Sequence, residues 1–273
     1  MKNIMQTARP VNVLLTAVSV SVGYWFGAGA IFELSLVPAA VSASLICAGG
    51  NIFNDFFDRE VDKINRPDRP YAAGLITSRS MIAAGSVCMM SGILFSLLTG
   101  GAGFLIAAAA VVLLMIYNRY AKKTVLAGNA IVSIITGLTF IYGASAAGNA
   151  SGAVIPALFA LIYHFGREIL KDIEDMPGDR RLNIGTLPVR YGDDIALMLA
   201  ILVFAILIIS TFLPYVFLEY SIYYLIAVIV GVDFLVLTAL TRYVLSRNSI
   251  HLKQLNRILK AGMIAGLAAL ALR

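Results

Sequence analysis

Nine apolar stretches, each near the length that crosses a bilayer, constrain this chain more than any other feature. They run from Val11 to Ile31, Leu34 to Phe57, Ser80 to Leu98, Ala102 to Tyr117, Leu126 to Ala147, Val154 to Ile169, Ile195 to Val216, Ser221 to Tyr243 and Ile258 to Leu272. A hydrocarbon core about 30 Å thick takes about 20 residues of α-helix, and a helix satisfies its own backbone hydrogen bonds where water cannot. The expected fold is an all-α membrane protein of nine transmembrane helices. Composition agrees, because 60% apolar and only 13% charged residues present more hydrocarbon surface than one soluble core of 273 residues absorbs. The first stretch continues through Trp25 and Phe26, too long for the apolar core of a signal peptide, and reads as a retained span.

Charge sets the orientation. With alternating topology, the N-terminus and the loops after the second, fourth, sixth and eighth stretches share one side, and that side holds all 21 Lys and Arg except Arg273. By the positive-inside rule it is cytoplasmic. The opposite loops are short, with Glu33 and Glu219 their only nearby charges, so the C-terminus is expected outside and any active site inside, in a plasma-membrane protein. The net charge of +6 thus reflects membrane topology, and no nucleic-acid partner is expected.

The second stretch ends in Asn54-Asp55-Phe56-Phe57-Asp58-Arg59-Glu60-Val61-Asp62, an NDxxDxxxD pattern. On a continuous helix Asn54, Asp58 and Asp62 drift by only about 80° and line one face. Ionised carboxylates stacked near hydrocarbon repel one another and need a counter-charge. After the sixth stretch, Asp172, Asp175 and Asp179 form a second series, DxxDxxxD, in which Pro177 and Gly178 argue that the helix ends or kinks before Asp179. Hard oxygen ligands without neighbouring His or Cys favour Mg²⁺, which binds through a few carboxylates together with phosphate oxygens and water. The candidate ligands are Asn54, Asp55, Asp58, Asp62, Asp172, Asp175 and Asp179, and two such sets can grip a diphosphate between them. The plainer reading is that these acids pair with Arg59, Lys63, Arg66, Arg69, Lys171, Arg180 and Arg181 in solvated loops.

Between the acidic series lies a basic patch, Tyr117-Asn118-Arg119-Tyr120-Ala121-Lys122-Lys123. Lys122 and Lys123 are candidates for neutralising diphosphate oxygens, or else simple topological anchors. Arg9, Arg66, Arg69 and Lys171 lie on the same side and are available to a second phosphate. Asp233, inside the eighth stretch, is a functional suspect by position or a hydrogen-bonded packing residue. His164 is a candidate base or a packing residue. Tyr117, Tyr142 and Tyr163 are candidates for stabilising a cation through their ring faces, against ordinary packing. Cys47 and Cys88 sit in apolar runs without CxxC spacing and read as buried thiols.

In motif order, spacing and topology the chain resembles the UbiA-type intramembrane prenyltransferase superfamily over essentially its whole length, as a single domain 1–273. The resemblance implies a helical bundle around a central cavity, capped on the cytoplasmic side by the loops after helices two and six. It places Asn54, Asp55, Asp58 and Asp62 on the first motif, Asp175 and Asp179 on the second with Asp172 before it, and Tyr117 and Lys122 on the basic element. Asp58, Asp62, Asp175, Asp179, Tyr117 and Lys122 are then the expected catalytic residues, with Mg²⁺ as cofactor. The stretches Asn65-Arg66-Pro67-Asp68-Arg69-Pro70 and Gly166 to Asp175 look most like the branch that makes the second ether bond of archaeal-type lipids. That branch implies geranylgeranyl diphosphate as donor, the 2-hydroxyl of geranylgeranylglyceryl phosphate as acceptor, and membrane lipid as surroundings.

Three other readings compete. An aromatic acceptor such as a hydroxybenzoate, a naphthoate or a chlorophyll precursor suits the same superfamily. An ion-coupled transporter also suits buried Asp residues, but alternating access needs a central site rather than acids at one face. An alcohol phosphatidyltransferase would carry a DGxxAR element, and none is present.

Overall fold

The computed structural model describes residues 2–29 and 33–273; the expected end of the first span at Ile31 lies outside the described residues. In chain order the helices are α1 (Lys2–Thr7), α2 (Pro10–Ala28), α3 (Leu36–Phe57), α4 (Arg59–Asn65), α5 (Ser78–Ser96), α6 (Gly100–Arg119), α7 (Ala127–Ala146), α8 (Val154–Arg181), α9 (Leu187–Tyr191), α10 (Asp193–Phe217), α11 (Ile222–Val228), α12 (Phe234–Ser246) and α13 (Ser249–Leu270). A π-helical turn, Ile229–Asp233, joins α11 to α12. No strand occurs among the described residues.

Local sequence explains where several helices start. Pro10 takes a first-turn position of α2, where its missing N–H costs nothing. The Thr77 hydroxyl accepts from the Ser80 amide at the head of α5, and the Asn248 side chain accepts from the Ile250 amide at the head of α13. Arg9, between α1 and α2, sits in the left-handed region at φ 56°, a conformation that a non-glycine residue holds only where tertiary contacts compensate.

Seven helical stretches among the described residues are long and apolar enough to cross a membrane. One of them, Ser78–Lys123, holds both α5 and α6, separated by the 3-10 turn Leu97–Thr99, and α6 opens on Gly100 at φ +83°, where glycine's freedom is required. α13 is 22 residues long, but its stretch from His251 to Lys260 also carries Lys253 and Arg257, and it is not among the seven. Large apolar side chains point outward along these helices, Leu98, Phe217 and Leu245 among them, as hydrocarbon surroundings require.

Inside, α2 packs on α3 and α7, α7 on α8, α8 on α10, and α13 on α8, α11, α12 and α2, which closes a ring, while α5 packs outside against α3. The approach of α2 to α7 depends on two glycines. A Cβ at Gly23 would collide with the Phe140 backbone, and one at Gly143 with the Val20 carbonyl, so the helix backbones are in direct contact.

Two expectations about the acidic segments change. The first helix does not run unbroken through Asp62: α3 stops at Phe57 and α4 restarts at Arg59, with Asp58 at φ −91° and ψ 6° between them. The backbone bonds from Asp58 N to Asn54 O (2.9 Å) and from Asp62 N to Asp58 O (2.8 Å) nevertheless persist. The second helix, expected to end or kink before Asp179, continues through Pro177 to Arg181. Packing compensates the lost proline bond: α4 lies against α8, and Asn65 Nδ2 donates to the Asp175 carbonyl at 2.9 Å. The 28 residues of α8 rise about 42 Å, longer than a hydrocarbon core.

Candidate active site

A cavity of about 360 Å³ occupies the middle of the ring. One end is polar, with Arg9, Asn54, Tyr117, Glu168 and Lys171 on its wall; the other is apolar, floored by Leu207, Val228, Val232 and Leu270. A pocket with a few convergent polar groups at one end and an apolar body suits a ligand with a charged head and a hydrocarbon tail.

The two acidic segments meet at the polar end. Arg66, just past α4, pairs with Asp175 at 2.6 Å and lies 3.9 Å from both Asp62 and Glu174, so one guanidinium links carboxylates from both. Asp58 is close enough to Asp179 for the two carboxylates to repel. Arg69, on the loop after α4, binds Asp62 at 2.6 Å and Asp55 at 3.2 Å. Arg9 reaches the same place from the head of α2, donating to Asp55 at 2.5 Å and to the side-chain Oδ1 of Asn54 at 2.9 Å. The left-handed backbone of Arg9 is therefore held by buried ion pairing.

Lys122, from the turn after α6, pairs with Asp58 and lies 5.8 Å from the centre of the Phe57 ring. Asn54 also donates to Asn118 Oδ1 at 3.2 Å, which ties the basic patch to the first acidic segment. The loop bearing Arg69 is anchored by Tyr71, 3% exposed, whose hydroxyl meets Ser78 Oγ at 2.9 Å and whose ring stacks on Phe56. Burial raises the Asp62 carboxyl above its ordinary value, and the Arg69 guanidinium opposes that shift. Burial works against the charge of Arg66, but Asp175, Glu174 and Asp62 outweigh it and hold the guanidinium protonated.

The expected site residues thus converge, with one exception. Lys123 is exposed on its turn and is not drawn into the cluster. Among the described residues no three acidic, His or Cys side chains form a group that could hold a cation alone, and Asp55, Asp58, Asp62 and Asp175 each face an Arg or Lys. Asp172 and Asp179 differ: their hydrogen bonds go to the neutral Asn129 Nδ2 at 2.7 Å and Thr186 Oγ1 at 3.3 Å. Two carboxylates with neutral partners, one of them buried, beside others only an ion-pair exchange away, fit a Mg²⁺ ion held partly by protein and partly by phosphate.

The remaining suspects separate. The Tyr163 hydroxyl donates to the Leu259 carbonyl at 2.6 Å and its ring meets Phe204 edge-on, which is packing. Asp233 accepts from Thr211 at 3.1 Å, a hydrogen-bonded role near the apolar floor. His164 lines the cavity, and its Nδ1 is buried without a hydrogen-bond partner. Cys47 and Cys88 are free thiols. Residues that sequence reasoning passed over include Asn65, which stood in a quoted motif without a role of its own, and Asn129 and Thr186, which carry no local signal. Arg167 does carry one: Arg167, Lys171, Asp175 and Asp179 recur every four residues and so share a stripe of α8.

The model of the UbiA prenyltransferase family matches residues 16–255. The chain belongs to the UbiA prenyltransferase family. It is an integral membrane prenyltransferase, as the family and the apolar helices together require. Among UbiA relatives, the digeranylgeranylglyceryl phosphate synthase of Methanopyrus kandleri is 37% identical over 278 residues, spanning 98% of each chain. A solved structure reported for structural and mechanistic insights into digeranylgeranylglyceryl phosphate synthase in membranes is 29% identical, with a TM-score of 0.77 over 98% of this chain and 96% of that one. A UbiA homolog from Archaeoglobus fulgidus bound to GPP and Mg²⁺ is 19% identical, with a TM-score of 0.66 over 98% and 99% of the two chains, and shares the fold.

Proposed function

We propose that this UbiA protein transfers the geranylgeranyl group of geranylgeranyl diphosphate to the 2-hydroxyl of geranylgeranylglyceryl phosphate, with Mg²⁺, forming the second ether bond of an archaeal-type lipid and releasing diphosphate. The observation that carries this reading is the meeting of two acidic segments, with their arginines and Lys122, at the mouth of a cavity whose far end is hydrocarbon. The Methanopyrus relative and the solved synthase structure support the lipid acceptor. The Archaeoglobus homolog, as a structure bound to GPP and Mg²⁺, is in keeping with metal and donor.

In this reading α5, α6 and α13 join the other long helices as nine spans of a single domain, 1–273. The segments after α3 and α8 cap the cavity on the cytoplasmic face of the plasma membrane, with the N-terminus on that side and the C-terminus opposite. The contact of Arg273 with the Phe26 ring, 3.9 Å from its centre, supports that placement, since Phe26 is at the other end of α2 from Arg9.

Asn54, Asp55, Asp58, Asp62, Asp172, Asp175 and Asp179 are the residues that would hold Mg²⁺, which when bound supplies positive charge to the diphosphate. Lys122 offers a donor to the same oxygens, with Arg66, Arg69, Arg9 and Lys171 available to diphosphate or acceptor phosphate, and this charge counts for more as the allylic carbon–oxygen bond lengthens and negative charge gathers on the leaving group. The apolar half of the cavity holds the prenyl chain and keeps water from the cationic carbon. Tyr117 and Tyr142, both on the cavity wall, present aromatic rings to that space. The acceptor hydroxyl must lose its proton as it attacks, and the carboxylates of the two segments are the bases in reach.

The decisive experiment incubates purified protein with Mg²⁺ and geranylgeranyl diphosphate against competing acceptors and identifies products by mass spectrometry. A digeranylgeranylglyceryl phosphate product is expected. Prenylated hydroxybenzoate or naphthoate in its place would move the acceptor to the aromatic class, and the absence of diphosphate release dependent on geranylgeranylglyceryl phosphate would overturn the lipid-acceptor reading.

A further inference from the structure

A second pocket, of about 320 Å³, opens beside the first between the head of α2, the loop after α4, α8 and α13. Its wall carries Arg9, Arg66, Arg69, Arg167, Lys171 and Lys260, against a single acid, Glu174. Arg9, Asn12, Arg167, Lys171 and Lys260 line both cavities, so the two spaces share a wall.

Counting charges divides these cations into two groups. Arg9 and Arg69 are engaged by Asp55 and Asp62, and Arg66 by Asp175 and Glu174. The other three are under-compensated. Arg167 and Lys171 share one carboxylate, Glu168, at 3.0 and 2.9 Å, and the contact of Lys260 is with the neutral Asn12 at 2.8 Å. Three cations meet one carboxylate here, and the pocket's own acid, Glu174, lies 3.9 Å from Arg66, so positive charge remains in excess. Arg167 Nε is buried with no acceptor, and a buried donor left unmade is costly. Such a site suits an anion with several acceptor oxygens. A phosphomonoester, at about −1.5 to −2 near neutral pH, matches, whereas a carboxylate would supply half the charge.

Resting on the lipid-acceptor reading above, we infer that this pocket is the subsite for the phosphate of the acceptor, with Arg167 and Lys260 as its specific binding residues. The α8 stripe fixes the relation to the donor. Arg167 precedes Asp175 by two turns, about 12 Å, so one rigid helix holds the acceptor phosphate at one end and the metal and diphosphate ligands at the other. A glycerol hydroxyl can then sit between them.

The test measures equilibrium binding of dodecyl phosphate to detergent-solubilised protein loaded with Mg²⁺ and a non-hydrolysable geranylgeranyl diphosphate analogue that fills the donor site. Wild type is expected to bind dodecyl phosphate, and Lys260→Met and Arg167→Met to weaken it by about tenfold or more while leaving affinity for the donor analogue within about twofold. Lys260→Arg should restore binding, which separates lost charge from lost fold. Dodecanol should not compete. Inorganic phosphate should compete only weakly, since equal competition would make this a free-anion site and overturn the headgroup assignment. Dodecyl phosphate binding unaffected by both variants would also overturn it. In parallel, wild-type turnover on geranylgeranylglyceryl phosphate reports separately on the acceptor: turnover with no effect of Lys260 on binding sinks the subsite, whereas intact, Lys260-dependent binding without turnover sinks the acceptor reading.

Discussion

Asn65 Nδ2 donates to the backbone carbonyl of Asp175 at 2.9 Å, joining the two acidic segments across 110 residues of chain. The contact is possible because Gly178, one turn further along α8, has no side chain: a Cβ there would sit 2.6 Å from Asn65 Nδ2. Gly178→Ala is expected to push Asn65 away and misalign the carboxylate sets. Displacements of about 1 Å at a reaction centre cost up to about a hundredfold, so kcat should fall roughly tenfold or more while thermal stability in detergent changes little. Unchanged steady-state kinetics in that variant would show that the contact does not position the site.

Removal of a carboxylate on either side of the mouth should be far more damaging. Asp58→Ala and Asp175→Ala are each expected to lower prenyl transfer on the order of a hundredfold or more, with size-exclusion behaviour and helix content by circular dichroism as in the wild type. Near-normal rates in both would remove these residues from the metal set.

Chelation of divalent cations should stop diphosphate release, and Mg²⁺ should restore it, because Asp172 and Asp179 have only neutral hydrogen-bond partners and a diphosphate between acidic segments is repelled without a bridging charge. Full activity in excess EDTA would contradict a Mg²⁺ site.

The α2–α7 contact predicts a stability effect distinct from catalysis. Gly143→Ala places a methyl group on the Val20 carbonyl and should cost about 1–3 kcal/mol, read as a lower melting temperature in detergent. Gly101→Ala is the control, since nothing lies within 4 Å of its position; equal melting of the two variants would argue against close backbone packing.

Much of this was legible in the chain itself, because the bilayer imposes strict rules. Apolar length determined the helices, and the spacing of Asp55, Asp58 and Asp62 and of Asp172, Asp175 and Asp179 pointed to hard-cation chemistry. Local signals also misled where packing prevails. Pro177 and Gly178 read as a helix end, yet α8 runs to Arg181 because α4 packs on it and Asn65 fills the space above Gly178. Only the tertiary structure decided which acid meets which cation: that Arg66 links Asp62 to Asp175, that Lys122 takes Asp58, and that Arg167 and Lys260 share a pocket short of negative charge. Such pairings join side chains tens to hundreds of residues apart, and Coulombic and hydrogen-bond energies depend on distances that helix packing alone sets.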